Sequence, residues 1–212
     1  MPRPSTNDLR RAILDEARRV LIERGYPGLS LRPIAREVGC TATSIYLYFE
    51  NKDALIHALI DEGMELLHSR LDAAAAGDEG PRERMARLAR AYLDFGLENP
   101  EYYEIMFMLH PERMERYPAD RYRKARRNLE MFHDEMVAAL GPEGVNGRDT
   151  TTESTLVWTS LHGTVSLLIA HRVDISIDRE ALIESAVLQA LRWLDEPICA
   201  PERTRDHDAA SN

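Results

Sequence analysis

Leu29-Ser-Leu-Arg-Pro-Ile-Ala-Arg-Glu-Val-Gly-Cys-Thr-Ala-Thr-Ser-Ile-Tyr-Leu-Tyr-Phe-Glu-Asn-Lys52 reads as two short helices joined by a glycine turn. Ser30 stands where an N-cap is expected, and Leu31, Ile34, Ala35 and Val38 follow at the spacing of one apolar helical face. Pro33 falls in the first turn, where backbone N–H groups have no intrahelical partner to lose. Gly39 supplies the left-handed residue that ends this helix, and Thr41 caps the next one. On that second helix Ile45 and Phe49 face inward, leaving Ala42, Thr43, Ser44 and Tyr46 outward. Asn51 caps a further helix whose first residue is Lys52, which sets a positive charge where a phosphate would pass. This arrangement is a helix-turn-helix, in which small polar and tyrosine side chains on the second helix enter the major groove of duplex DNA.

Working outward, an N-terminal helix precedes the motif, with Leu9, Ile13, Ala17 and Leu21 stepping by four before Gly25-Tyr26. From Met1 to Lys52 there are nine basic residues against six acidic ones, a net of +3, whereas the whole chain of 212 residues carries −9. The remainder therefore carries −12, and only the N-terminal module suits a polyanion. Arg18 and Arg19 read as a solvated face; Arg32 and Lys52 read as contacts.

Beyond Lys52 the hydrophobic period stays helical and no strand alternation develops, so the expected fold is all-α. Leu55, Ile56, Leu59, Ile60, Met64, Leu67 and Leu71 continue the helix opened by Asn51 into a long connector that the small residues from Ala73 to Gly80 end. Pro81 starts a helix to about Glu98, Pro100 one to about Leu109, and Pro118 a long one to about Leu140, each proline in a first-turn position. Gly141, Pro142, Gly144 and Gly147 form a loop, Thr150 with Glu153 reads as a capping box, and Asp178 caps the last helix. The organisation expected is a helix-turn-helix domain at 1–52, a helical ligand-binding and dimerisation domain at 53–196, and a polar, disordered tail at 197–212.

The helix from Thr151 to about Val173 has no charged residue between Glu153 and Arg172, yet its Ser, Thr and His content is too polar for a membrane span. Such a helix is covered on two sides. The wide apolar stripe of Leu182, Ile183, Ala186, Val187, Ala190, Leu191 and Leu194 on the last helix complements it, and the two predict a four-helix homodimer interface. A dimer presents two recognition helices to a palindromic operator with half-sites about one helical turn apart.

Ser30-Leu-Arg-x-Ile-Ala-x-x-Val-Gly39, Thr43-Ser-Ile-Tyr-x-Tyr-Phe49 and Asn51-Lys52 with Leu55 resemble the N-terminal domain of the TetR family of bacterial transcription regulators. That resemblance implies base contacts from Arg32, Ala42, Thr43, Ser44 and Tyr46, and phosphate contacts from Ser30, Tyr46, Tyr48 and Lys52. Ala42 departs from the larger polar residue often found there, and Pro33 replaces a common charged residue. Trp158-Thr-Ser-Leu-His-Gly163 and Asn99-Pro100-Glu-Tyr-Tyr-Glu-Ile-Met-Phe107 are similar to the Trp-His-Gly subgroup of the family's C-terminal domains. By that likeness the C-terminal helices hold a small, mostly apolar effector, with Tyr103, Phe107, Trp158 and His162 as ligand-contacting candidates among aromatic and Met residues that otherwise serve as core. The function implied is a homodimeric repressor released from its operator by that molecule.

Other classes fit less well. No Gly-x-Ser-x-Gly, His-Glu-x-x-His, phosphate-cradling glycine loop or spaced Cys/His set is present, so neither an enzyme, a cofactor nor a metal is expected. A ligand-free architectural DNA binder would share the N-terminal module, but would bind random duplex nearly as well as any single site. Cys40 and Cys199, the only cysteines, suit a reducing compartment, and no apolar signal segment opens the chain, so a cytoplasmic protein is expected. Cys40 reads as a small turn residue in preference to a redox sensor.

Overall fold

A computed structural model of the chain describes residues 6–108 and 119–195, and among these every regular element is helical. The polar tail at 197–212, Cys199 and Pro118 lie outside the described residues. In chain order the helices are α1 (Thr6–Gly28), α2 (Leu31–Glu37), α3 (Ala42–Tyr46), α4 (Lys52–Ala75), α5 (Pro81–Glu98), α6 (Pro100–Tyr103), α7 (Ala119–Gly144), α8 (Thr150–Ile169) and α9 (Arg179–Asp195). α1 and α7 are each broken late, by Gly25 and Gly141 at positive φ, so their regular parts end where the sequence places them.

The described residues form two compact units, the first from 6–73, 94–108 and 119–128, the second from 74–93 and 129–195. In the first, the apolar stripes of α1 (Ile13, Leu14, Ala17, Leu21), α2 (Leu31, Ile34, Ala35) and α3 (Ile45, with Phe49 beyond it) close on the start of α4. Residues 55–60 of α4 are buried on every side, because α4 enters the middle of this cluster instead of flanking it. Each fully buried aliphatic side chain of this kind contributes roughly 1.5–3 kcal/mol before the ordering cost.

Still within the first unit, α6 continues as a π-helical segment, Glu104–Met108, in place of the uniform helix to Leu109 expected from the sequence. Gly63 of α4 admits its approach: a Cβ there would meet the Met106 sulfur at 2.4 Å. Arg18 of α1 lies 4.6 Å from the Tyr102 ring centroid and 3.7 Å from the Glu62 carboxylate, joining α1, α4 and α6. Arg18 is thus part of a packed polar cluster, contrary to its reading as a solvated face, whereas Arg19 is exposed and paired with Glu16 and Glu23. Burial and the Glu62 charge push the Tyr102 hydroxyl up to about 12, so it stays protonated. Asn128, buried, bridges Met64 O (3.1 Å) and His68 Nδ1 (3.0 Å).

In the second unit α8 packs along α9, and Val157, Leu161 and Val165 of α8 and Ile183, Ala186, Val187, Ala190 and Leu194 of α9 are buried. Phe132 of α7 stands edge-on to Tyr92 of α5, ring centroids 6.2 Å apart. The start of α8 differs from the expected capping box. Asp149 is the N-cap, accepting from Thr152 N at 3.1 Å, and Glu153 instead is buried against Arg148 at 2.8 Å. The guanidinium of Arg148 also donates to the carbonyls of Trp193 and Leu194, the last turn of α9. α8 ends at Ile169, short of the expected Val173: His171 takes a left-handed φ of 52°, and Arg172 N closes back on Leu167 O at 2.9 Å. Asp178 caps α9 as expected, accepting from Ala181 N at 2.8 Å.

Candidate nucleic-acid interface

The turn between α2 and α3 is fixed by backbone bonds. Gly39 sits at φ 72°, which an L side chain resists, and Cys40 N donates to Ala35 O at 2.8 Å across it. Burial pushes the Cys40 thiol up, away from the thiolate a redox sensor needs, in keeping with its reading as a turn residue. Thr41 then starts α3, its hydroxyl accepting from Ser44 N at 3.0 Å and lying 2.8 Å from Ser44 Oγ.

α3 is anchored from beneath by Ile45 and Phe49, both buried, and Arg10 of α1 lies over the Phe49 ring at 5.5 Å. Its outer surface consists of Ala42, Thr43, Tyr46 and Leu47, all exposed. Ser44 is half-buried and its hydroxyl belongs to the cap, so of the polar residues singled out by sequence it is the one turned most toward the protein. Leu47, which sequence reasoning passed over, is 82% exposed. Its signal in the sequence was available: a leucine two residues after Ile45 and two before Phe49 falls opposite the buried face.

On α2, Ser30 holds the extended N-cap backbone geometry but its hydroxyl makes no capping bond, while Arg32 and Arg36 are exposed. Asn51 caps α4, accepting from Ala54 N at 2.7 Å. Lys52 is more enclosed than its sequence position implies. Its ammonium lies 3.5 Å from the Tyr26 ring centroid and donates to the Tyr26 carbonyl, and burial lowers its pKa. Tyr26 in turn donates from its hydroxyl to Asp53 Oδ1 at 2.9 Å. These bonds tie the end of α1 to the start of α4, and an ammonium has three donors, of which the Tyr26 carbonyl takes one. Tyr48 is half-buried beside them in sequence.

The four ligand candidates fall into two pairs. Tyr103, fully buried, and Phe107, half-buried, pack with ring centroids 4.9 Å apart in the first unit. Trp158 and His162, both half-buried, stack at 5.1 Å in the second, where the Tyr92 hydroxyl is 3.3 Å from His162 Nδ1. Burial lowers the His162 pKa and favours the neutral ring. Tyr92 as the polar partner of His162 was not foreseen, since its position on α5 is remote in sequence. Among the described residues no cluster of three or more His, Cys, Asp or Glu side chains is placed to hold a metal, and no helix is long and apolar enough to cross a membrane.

Comparison with known proteins bears on the same two regions. Residues 13–59 match the model of bacterial regulatory proteins of the tetR family, and residues 85–190 match that of the tetracyclin repressor-like C-terminal domain. An HTH-type transcriptional regulator of Bacillus subtilis, YobS, is 29% identical over 104 residues, 49% of this chain and 54% of that protein. The HTH-type transcriptional repressor Rv1474c of Mycobacterium tuberculosis is 39% identical over 83 residues, 38% of this chain and 42% of that protein. The matched stretch thus spans about half the length of these relatives or less. A Rhodococcus sp. RHA1 protein of unknown function has the same fold, with a TM-score of 0.75 at 24% identity over 92% of this chain and 100% of that one.

Proposed function

Because the chain belongs to the tetR family of bacterial regulatory proteins, whose members are DNA-binding transcriptional regulators and not enzymes, we propose that it is a homodimeric repressor acting in the cytoplasm, released from a palindromic operator by a small, mostly apolar molecule. The observation that carries the DNA-binding half is the geometry of α3: a five-residue helix pinned by Ile45 and Phe49 and capped by Thr41, with its outward side chains on a module of net +3. Arg32, Thr43, Ser44 and Tyr46 are the proposed base-reading set. Ser30, Tyr46, Tyr48 and Lys52 are the proposed phosphate contacts.

Repression as the output is supported by the likeness to Rv1474c, and the Trp158-to-Gly163 run supports the Trp-His-Gly subgroup as the finer assignment. The proposed effector contacts are Tyr103 and Phe107, and Trp158 and His162, whose neutral ring suits an uncharged polar group on an otherwise apolar ligand. Release follows if the effector prefers a form of the dimer in which the two α3 helices no longer match the groove spacing.

The test is selection of duplexes from a random pool followed by titration. The expected result is one palindromic site preferred by roughly 10³-fold or more over random sequence, with Tyr46→Ala losing both affinity and preference. Uniform affinity for all duplexes would instead indicate an architectural protein. For the effector, a thermal-shift screen of apolar compounds is expected to yield a ligand that raises the melting temperature, loses its effect in Trp158→Ala and releases the operator. A ligand that tightens the DNA complex would reverse the sign.

A further inference from the structure

The outward face of α3 is more apolar than a surface read by hydrogen bonds requires. Ala42, Thr43, Tyr46 and Leu47 are all exposed, and Leu47, two residues on from the buried Ile45, projects from the side of the helix opposite it. Leu47 ends this helix in helical geometry, φ −72° and ψ −21°, with its N–H bonded to Ser44 O at 3.2 Å, so its side chain projects from a defined position. The other leucines of the helix-turn-helix, Leu29 and Leu31, are buried at 3% and 6% exposure. Leu47 at 82% contributes nothing comparable to the core.

This face belongs to a module of net charge +3 that also exposes Arg32 and Arg36, which suits a polyanion and not an apolar protein partner. Within a major groove only one group on the base edges is apolar, the C5-methyl of thymine. We propose that Leu47, together with Ala42 and the Thr43 methyl, reads thymine methyl groups in each half-site, making Leu47 a specificity-determining residue. The proposal rests on α3 being the recognition helix. It also gives Ala42 a role that its lack of a polar group denied it. Ala42 and Leu47 are separated by about 7.5 Å along the helix axis.

The experiment uses the full chain and the duplex obtained by selection from a random pool, with each thymine of the half-site replaced in turn by deoxyuridine, which removes only the methyl. One position under Leu47 is expected to lose about fourfold in affinity per half-site, the equivalent of one buried methyl. Leu47→Ala is expected to bind thymine and uracil alike at that position while keeping the wild-type response elsewhere; Leu47→Met, which preserves apolar reach, is expected to retain the sensitivity. Circular dichroism and melting of both variants should match the parent, since the side chain is outside the core. The proposal is overturned if no uracil position depends on Leu47, or if Leu47→Ala weakens every duplex by the same factor, as a contact to the backbone would. If no duplex is preferred at all, the reading of α3 as a recognition helix fails first, and the methyl reading with it.

Discussion

Lys52 shows how a single side chain can belong to two systems. Its sequence position marks it as a phosphate contact, yet its ammonium also lies on the Tyr26 ring and bonds the Tyr26 carbonyl. Lys52→Ala is therefore expected to do two things: flatten the salt dependence of DNA binding by about one unit of slope per half-site, and lower stability by ~1 kcal/mol through the lost cation–ring contact and hydrogen bond. Salt titrations of operator affinity and thermal melting without DNA separate the two. His162 offers a pH test. Burial lowers its pKa below the ordinary 6.5, so as pH falls through that value the unfolded chain takes up a proton that the folded one resists. Stability contributed by the neutral ring is complete above about pH 6.5 and declines below it. His162→Gln should make melting temperature less pH-dependent below about pH 6.5, and an unchanged slope would show that His162 is not the group responsible.

At the scale of elements, caps and closures decide where helices stop. Thr41, Asn51 and Asp178 cap as their spacing predicts, because a Ser, Thr, Asn or Asp side chain reaches only its own next turn. The start of α8 departs from the pattern because a long-range partner intervenes. Glu153 meets Arg148, which is itself held by the last carbonyls of α9, and Asp149 takes over the cap. The Arg148 and Glu153 side chains are only 10% and 3% exposed, so removing one leaves the other's charge with reduced compensation. Glu153→Ala is expected to cost about 3 kcal/mol in denaturant unfolding, and the double variant with Arg148→Met less than the sum of the two singles. Additive losses would show that the pair is not coupled. The π-helical stretch after α6 is likewise a tertiary outcome: Gly63 leaves room for Met106, and Tyr102 is drawn toward Arg18.

For the whole molecule the question is what covers the outer surfaces of α8 and α9. Leu167 and Leu188 are 51% and 62% exposed in the single chain, on the two helices whose sequence predicts a four-helix interface. In the proposed dimer these residues are covered, and Leu167→Glu with Leu188→Glu is expected to give a monomer by light scattering with operator affinity falling at least tenfold. A dimer that survives both changes would place the interface elsewhere. The all-α class, the helix-turn-helix and the inward pair Ile45 and Phe49 were legible in sequence, because helical period and capping chemistry are local and repeat every few residues. The same local rules located the positive module, since charge is additive along a chain. Other features came only with the tertiary structure: the enclosure of Lys52 by Tyr26, the Arg18, Glu62 and Tyr102 cluster, and the pairing of His162 with Tyr92. These join residues far apart in the chain, so they are set by the packing of whole helices and not by local spacing.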